Sequence, residues 1–189
     1  MNVAGFAGFS GSGKTTLVEQ LIAALRQRGQ RVSVVKHAHH RFDIDHPGKD
    51  SFRHRQAGAF EVVVASSQRL ALIREFEQPE ELSVHRLLAE LDNRVDWALV
   101  EGLKESDVPK IEVWRASTDQ RPARRALYGD DVFVVAVATD NARLLPLTTQ
   151  LPVLDLNNPS AIADWMLANR ELFVYDRHSH GEFLTCERP

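Results

Sequence analysis

Three glycines, a lysine and two threonines fall within the nine residues GFSGSGKTT, positions 8–16, directly after the apolar run at 3–7. Gly8, Gly13, Lys14 and Thr15 satisfy G-x-x-x-x-G-K-[ST], and the chemistry of that spacing is phosphate binding. Glycines let successive backbone N–H groups converge on one anion. A helix that starts there adds about half a positive charge at its N-terminus. Ser10, Gly11, Ser12, Gly13, Lys14, Thr15 and Thr16 are the candidate nucleotide-binding residues. Lys14 is expected to reach the β- and γ-phosphates, and the Thr15 hydroxyl to bind Mg²⁺. The alternative is a plain glycine-rich turn. The glycines at 8, 11 and 13 do not have dinucleotide-binding spacing.

A triphosphate site also needs an acid near the metal, and DWALVEG, positions 96–102, offers Asp96 and Glu101. Five residues of strand separate the two by roughly 17 Å. A parallel sheet places its site at the carboxyl ends of the strands, which selects Glu101 as the metal-side acid. Gly102 is expected to let the chain pass close to the phosphates.

The segment KHAHHRFDIDHPGKDSFRHR, positions 36–55, holds five of the chain's eight histidines, five Lys or Arg residues and the acids Asp43, Asp45 and Asp50. His37, His39, His40 and His46, with a carboxylate from Asp43 or Asp45, could ligate a metal. They have no thiolate among them and no closed structural zinc spacing. The preferred reading is a segment that handles an anionic substrate or the γ-phosphate. Lys36, His37, His40, Lys49, Asp50 and Arg53 would be its contacts, with Asp43 or Asp45 positioning water or Mg²⁺ as catalytic groups beside Lys14. A solvated polar loop is the bland alternative. Asp140, which ends the apolar run VFVVAVATD, could accept from N1–H and the 2-amino group of guanine, two bonds of about 1.5–3 kcal/mol each. It could equally cap the next helix.

These residues must be positioned by elements, and the periodicities name them. A strand at 3–8, a helix at 14–28 with Leu17, Leu21, Ile22 and Leu25 on one face, and a strand at 31–36 make a β-α-β unit. That unit implies a mostly parallel sheet with helices on both faces. A helix at 49–57, a hairpin within 61–75, a helix at 80–92, strands at 96–102, in PKIEVWR and in VFVVAVATD, a weak strand in LPVLDL and a helix at 160–169 follow; the tail 173–189 is unassigned. Length predicts a single domain over 1–189. A net charge of -3 argues against a nucleic-acid binder, and no apolar run is long enough to span a membrane. One cysteine, Cys186, permits no internal disulfide, and the cytoplasm is the expected compartment.

GFSGSGKTT, KHAHHRFDIDHPGKDSFRHRQAGA, LVEGLK and PKIEVWR together resemble the MobB family, P-loop accessory proteins of molybdopterin guanine dinucleotide biosynthesis, over residues 2–140. The resemblance implies GTP and Mg²⁺ binding with weak hydrolysis and a homodimer. It also implies partnership with the guanylyltransferase that joins GMP to molybdopterin, with molybdopterin itself as a further contact. It carries phosphate binding onto Gly11, Gly13, Lys14, Thr15 and Thr16, and Mg²⁺ onto Thr15 and Glu101. His37, Asp43, Asp45, Lys49, Asp50 and Arg53 would line the site. The chain has no N-K-x-D, so guanine preference rests on the resemblance. The rival readings are a small-molecule kinase with Asp43 or Asp45 as base, and a metal-delivery GTPase using the histidines. Protein purified without chelator or affinity tag should contain no stoichiometric zinc; one zinc per chain by elemental analysis would overturn the anion-handling reading of the histidine segment.

Overall fold

Strand β1 (Asn2–Ala7) is buried at every position, as the middle of a parallel sheet must be. The computed structural model describes residues 1–38, 42–116 and 125–176. From β1 the chain turns through the glycine-rich loop into α1 (Lys14–Gln27) and returns as β2 (Val32–Lys36). Beyond residue 83 come α3 (Val84–Ala89), β5 (Trp97–Glu101), β6 (Lys110–Trp114), β7 (Val134–Thr139), β8 (Val153–Asp155) and α4 (Pro159–Ala168), numbered after the elements α2, β3 and β4 described below. The six strands stand in the order β2-β5-β1-β6-β7-β8, each pair parallel. All their carboxyl ends therefore lie along one edge, with β1 central.

Helices cover both faces. On one side α1 buries Leu17, Val18, Leu21 and Leu25, and α4 buries Ile162 and Met166, against Ala4, Phe6, Leu99 and Ile111. Each such aliphatic side chain contributes about 1.5–3 kcal/mol by leaving water. On the other side Val84 and Leu88 of α3 pack on Val3, Ala98 and Val100. Successive strand residues thus alternate between the two cores. The helix expected over 80–92 is shorter, because the Ser83 hydroxyl caps the Arg86 N–H and starts the helix there. Phe173 is buried against Trp97 and Trp165, and Tyr175 N–H donates to the Met1 carbonyl at 2.9 Å. The start of the unassigned tail is therefore part of the core; residues 177–189, with Cys186, lie outside the described residues.

By its internal contacts the chain divides into two units, Met1–His37 with the chain from Ser83 onward, and Ala38–Leu82. The second holds α2 (Asp50–Gln56) and an antiparallel hairpin of β3 (Glu61–Ala65) and β4 (Leu70–Arg74), pinned at its open end by an Arg74–Glu61 ion pair. No described helix is long and apolar enough to cross a membrane.

Two charged residues sit in the wall of β6. Lys110 pairs with Asp131 at 2.8 Å and donates to the carbonyls of Lys104 and Ser106. Glu112, wholly buried, accepts from the N–H groups of Leu127 and Tyr128 at 2.9 and 2.8 Å. Burial pushes the Glu112 carboxyl up despite those bonds. Removing it would leave a buried cavity and two half-buried N–H donors without their acceptor, so Glu112→Ala should lose about 3 kcal/mol of stability by urea unfolding. A loss below about 1 kcal/mol, the size of an ordinary surface substitution, would show that the 127–128 turn does not depend on it.

Candidate functional site

The loop between β1 and α1 takes its shape from glycine. Gly8, Gly11 and Gly13 have φ values of 136°, 80° and 99°, a region other residues avoid. A Cβ on Gly8 would stand 2.4 Å from the Val113 carbonyl oxygen, whereas one on Gly11 would meet nothing within 4 Å. The loop is therefore pressed against β6 at its base and open at its crest. Gly13 caps α1 with no side-chain acceptor, so the helix's first N–H groups carry no side-chain cap. Ser12 Oγ is buried with no hydrogen-bond partner among the described residues. Such a cradle, with a helix start that no side chain caps and a hydroxyl without a partner among the described residues, fits an oxyanion.

Lys14 folds back over the loop, its Nζ donating to the Gly8 and Phe9 carbonyls at 2.8 Å each. Burial lowers its pKa and Lys36 adds to that, with Glu101 opposing. Thr15 Oγ1 donates to Glu101 Oε1 at 2.7 Å, and the Lys36 ammonium pairs with the same oxygen. Glu101 is only 4% exposed. Burial works to raise its carboxyl, but the hydrogen bonds from Lys36 and Thr15 and the charges of Lys36 and Lys14 prevail and hold it below the ordinary value. Thr15, Lys36 and Glu101 thus meet at the carboxyl edge, while Asp96, at the opposite end of β5, accepts from the Arg31 N–H at 2.7 Å. Gly102 has φ 105°, and a neighbouring backbone group requires a glycine there. A Cβ there would lie 2.6 Å from the His37 carbonyl oxygen, the close neighbour the structure shows.

Asp140 stands at the end of β7, its Oδ2 3.5 Å from Arg115 Nε just past the end of β6. The capping role falls to its neighbour Asn141, whose side chain accepts from the Arg143 N–H and starts a short 3-10 turn. The guanidinium of Arg115 rests 3.6–3.8 Å from where a Cβ of Gly13 would be.

In the second unit, Asp43 and Asp45 both accept from Arg55 Nη1 at 3.1 Å, while Arg55 Nε donates to Glu75 Oε1 at 2.6 Å. Ser51 Oγ and the His46 N–H also serve Asp45, and the Asp45 N–H donates to Asp43. The Asp45 N–H and Arg55 hold the Asp43 carboxyl low; for Asp45 burial opposes, and Ser51, Arg55 and His46 prevail. Lys49 precedes α2, and Asp50 faces Arg53 at 3.7 Å on its exposed surface. His39 and His40 lie outside the described residues, and among those described no three His, Cys, Asp or Glu residues are grouped to hold a metal. Sequence reading passed over Arg55 and Arg115. Each lay inside a quoted motif, but only the folded chain shows what their guanidinium groups touch.

The six-stranded parallel sheet and glycine-rich turn define a P-loop NTPase-like α/β fold. Residues 3–140 match the family described as molybdopterin guanine dinucleotide synthesis protein B, and the chain belongs to that MobB family. It is 42% identical over 163 residues to the molybdopterin-guanine dinucleotide biosynthesis adapter protein of Escherichia coli (strain K12), covering 86% of this chain and 89% of that one. Identity to the adapter protein of Haemophilus influenzae is 40%, over 86% and 85%. The crystal structure of a MobB protein homolog from Bacillus stearothermophilus, 25% identical, matches with a TM-score of 0.64 over 90% of this chain and 99% of that one.

Because the Glu101 carboxyl is held below its ordinary 4.5, its stabilising bonds are fully present above that pH and are lost as the pH falls through its lowered value. Between about pH 5 and pH 3, the urea midpoint of the wild-type chain should fall more steeply than that of Glu101→Gln. Parallel curves would remove Glu101 from the acid response.

Proposed function

We propose that this chain is an adapter protein of molybdopterin guanine dinucleotide biosynthesis that binds GTP with Mg²⁺ in the loop at 8–16 and assists the guanylyltransferase that joins GMP to molybdopterin. The observation that carries the nucleotide reading is the open cradle with the unpartnered Ser12 hydroxyl, next to the Thr15–Glu101 pair. The family membership and the likeness to the Escherichia coli and Haemophilus influenzae adapter proteins support the pathway.

In this reading the loop N–H groups and the start of α1 hold the β- and γ-phosphates, and Lys14 exchanges the Gly8 and Phe9 carbonyls for phosphate oxygens. Thr15 and Glu101 hold Mg²⁺, directly or through water, once the Lys36 ammonium has moved aside. A bound Mg²⁺ would neutralise charge between phosphate oxygens. Asp43 and Asp45 are tied to Arg55, which suits slow hydrolysis and a carrier role. One face of the hairpin exposes Val63, Leu70 and Leu72, an apolar surface that supports a homodimer. Such a protein works in the cytoplasm.

Lys14→Ala should keep the fold, since the side chain supports no core, yet weaken GTP binding at least about tenfold for each phosphate bond lost. Calorimetry giving equal GTP affinity for variant and wild type would remove the phosphate role. An immobilised wild-type chain should retain a purified molybdopterin guanylyltransferase when GTP is present, and failure to do so would remove the adapter role.

A further inference from the structure

We propose that Arg115 and Asp140 form a paired reader for guanine, standing where the chain has no N-K-x-D. The inference rests on the GTP reading above and names the groups that would make it base-selective.

The topology places both residues. Trp114 at the end of β6 pairs in register with Thr139 at the end of β7, so the next residue on each strand, Arg115 and Asp140, emerges side by side at the carboxyl edge. β6 is also the neighbour of β1, with Ala7 opposite Glu112, and this brings Arg115 against Gly13 of the cradle. On the other flank, β5 and β2 deliver Glu101 and Lys36 to Thr15. A nucleoside triphosphate with its metal-bearing end toward Glu101 therefore extends its nucleoside toward β6 and β7.

The chemistry of the pair is complementary to guanine and not to adenine in the same pose. Guanine carries acceptors at N7 and O6, then donors at N1 and the 2-amino group along adjoining edges. A reader needs donors beside an acceptor, close together but not consuming each other. Arg115 Nε and Asp140 Oδ2 are 3.5 Å apart, and Nε makes no hydrogen bond among the described residues. Each side chain is about one-third exposed, at 34% and 33%. The guanidinium keeps N–H groups for O6 and N7, and the carboxylate keeps lone pairs for N1–H and the 2-amino group. Adenine would set its 6-amino donor against the guanidinium and its N1 acceptor against the carboxylate.

The test is calorimetry of wild type, Arg115→Met and Asp140→Asn with the Mg²⁺ complexes of GTP, ITP, ATP and xanthosine triphosphate, with thermal melting to report the fold. Wild type should prefer GTP to ATP. Arg115→Met should cut that preference about 10- to 100-fold, and should lower ITP binding in parallel, because inosine keeps O6 and N7. Asp140→Asn should weaken GTP and strengthen xanthosine triphosphate, a gain that an unfolded variant cannot produce. Equal losses for GTP, ITP and ATP in Arg115→Met would place the guanidinium on phosphate and overturn the inference while leaving nucleotide binding intact. Unchanged preference in either variant would overturn it as well. A wild-type chain that binds none of the four would overturn both this inference and the proposed function.

Discussion

One buried carboxylate ties the working edge of the sheet together. Glu101 ends the strand between β1 and β2, and its Oε1 receives both the Thr15 hydroxyl and the Lys36 ammonium. A carboxylate so far removed from water must be paired, because an unpaired buried charge costs several kcal/mol. The pairing draws three elements to one point: the start of α1, the end of β2 and the end of β5. The backbone repeats the tie, since the His37 N–H donates to the Glu101 carbonyl at 2.9 Å. The glycine at 102 is a consequence, as only a residue without a side chain can follow Glu101 past the His37 carbonyl.

The other flank is set by a strand that buries charge for a different purpose. Lys110 and Glu112 point to one face of β6 and satisfy backbone groups of the segments at 104–106 and 127–128. Polar burial of this kind is tolerated when every group has a partner, and it then favours one arrangement over near alternatives. β6 is thereby fixed against β1, and the carbonyl of its Val113 supports the base of the glycine-rich loop. The loop rests between a flank held by an ion pair and a flank held by buried hydrogen bonds.

Much of the fold could be read from local signals. The apolar runs of β1, β5 and β7, the spacing of Leu17, Leu21 and Leu25, and the turn at 66–69 each carry their own period or turn chemistry. The glycine-rich loop and Glu101 were legible because parallel sheets gather their sites at one edge. What stayed hidden depends on residues far apart in the chain. Arg55 reaches back to Asp43 and forward to Glu75, Arg115 meets Asp140, and Phe173 enters the core beside Trp97. No periodicity encodes such meetings. The helix expected over 80–92 shows the limit from the other side, since its leucines gave the right period but Ser83 set the true start.

The central place of β1 governs the order in which the molecule can assemble. Asn2 pairs with Trp97, Gly5 with Lys110, and Asn2 bridges again to Val174. During synthesis β1 has no lateral partner in the sheet until β5 has been made, and the Val174 bridge must await almost the whole described chain. Such distant pairings impose a large loop-closure entropy and slow the search for the native state. Until then the apolar residues of β1 and α1 lack the core partners that β5, β6 and α4 supply, and a nascent chain stalled before residue 97 would be a substrate for chaperones.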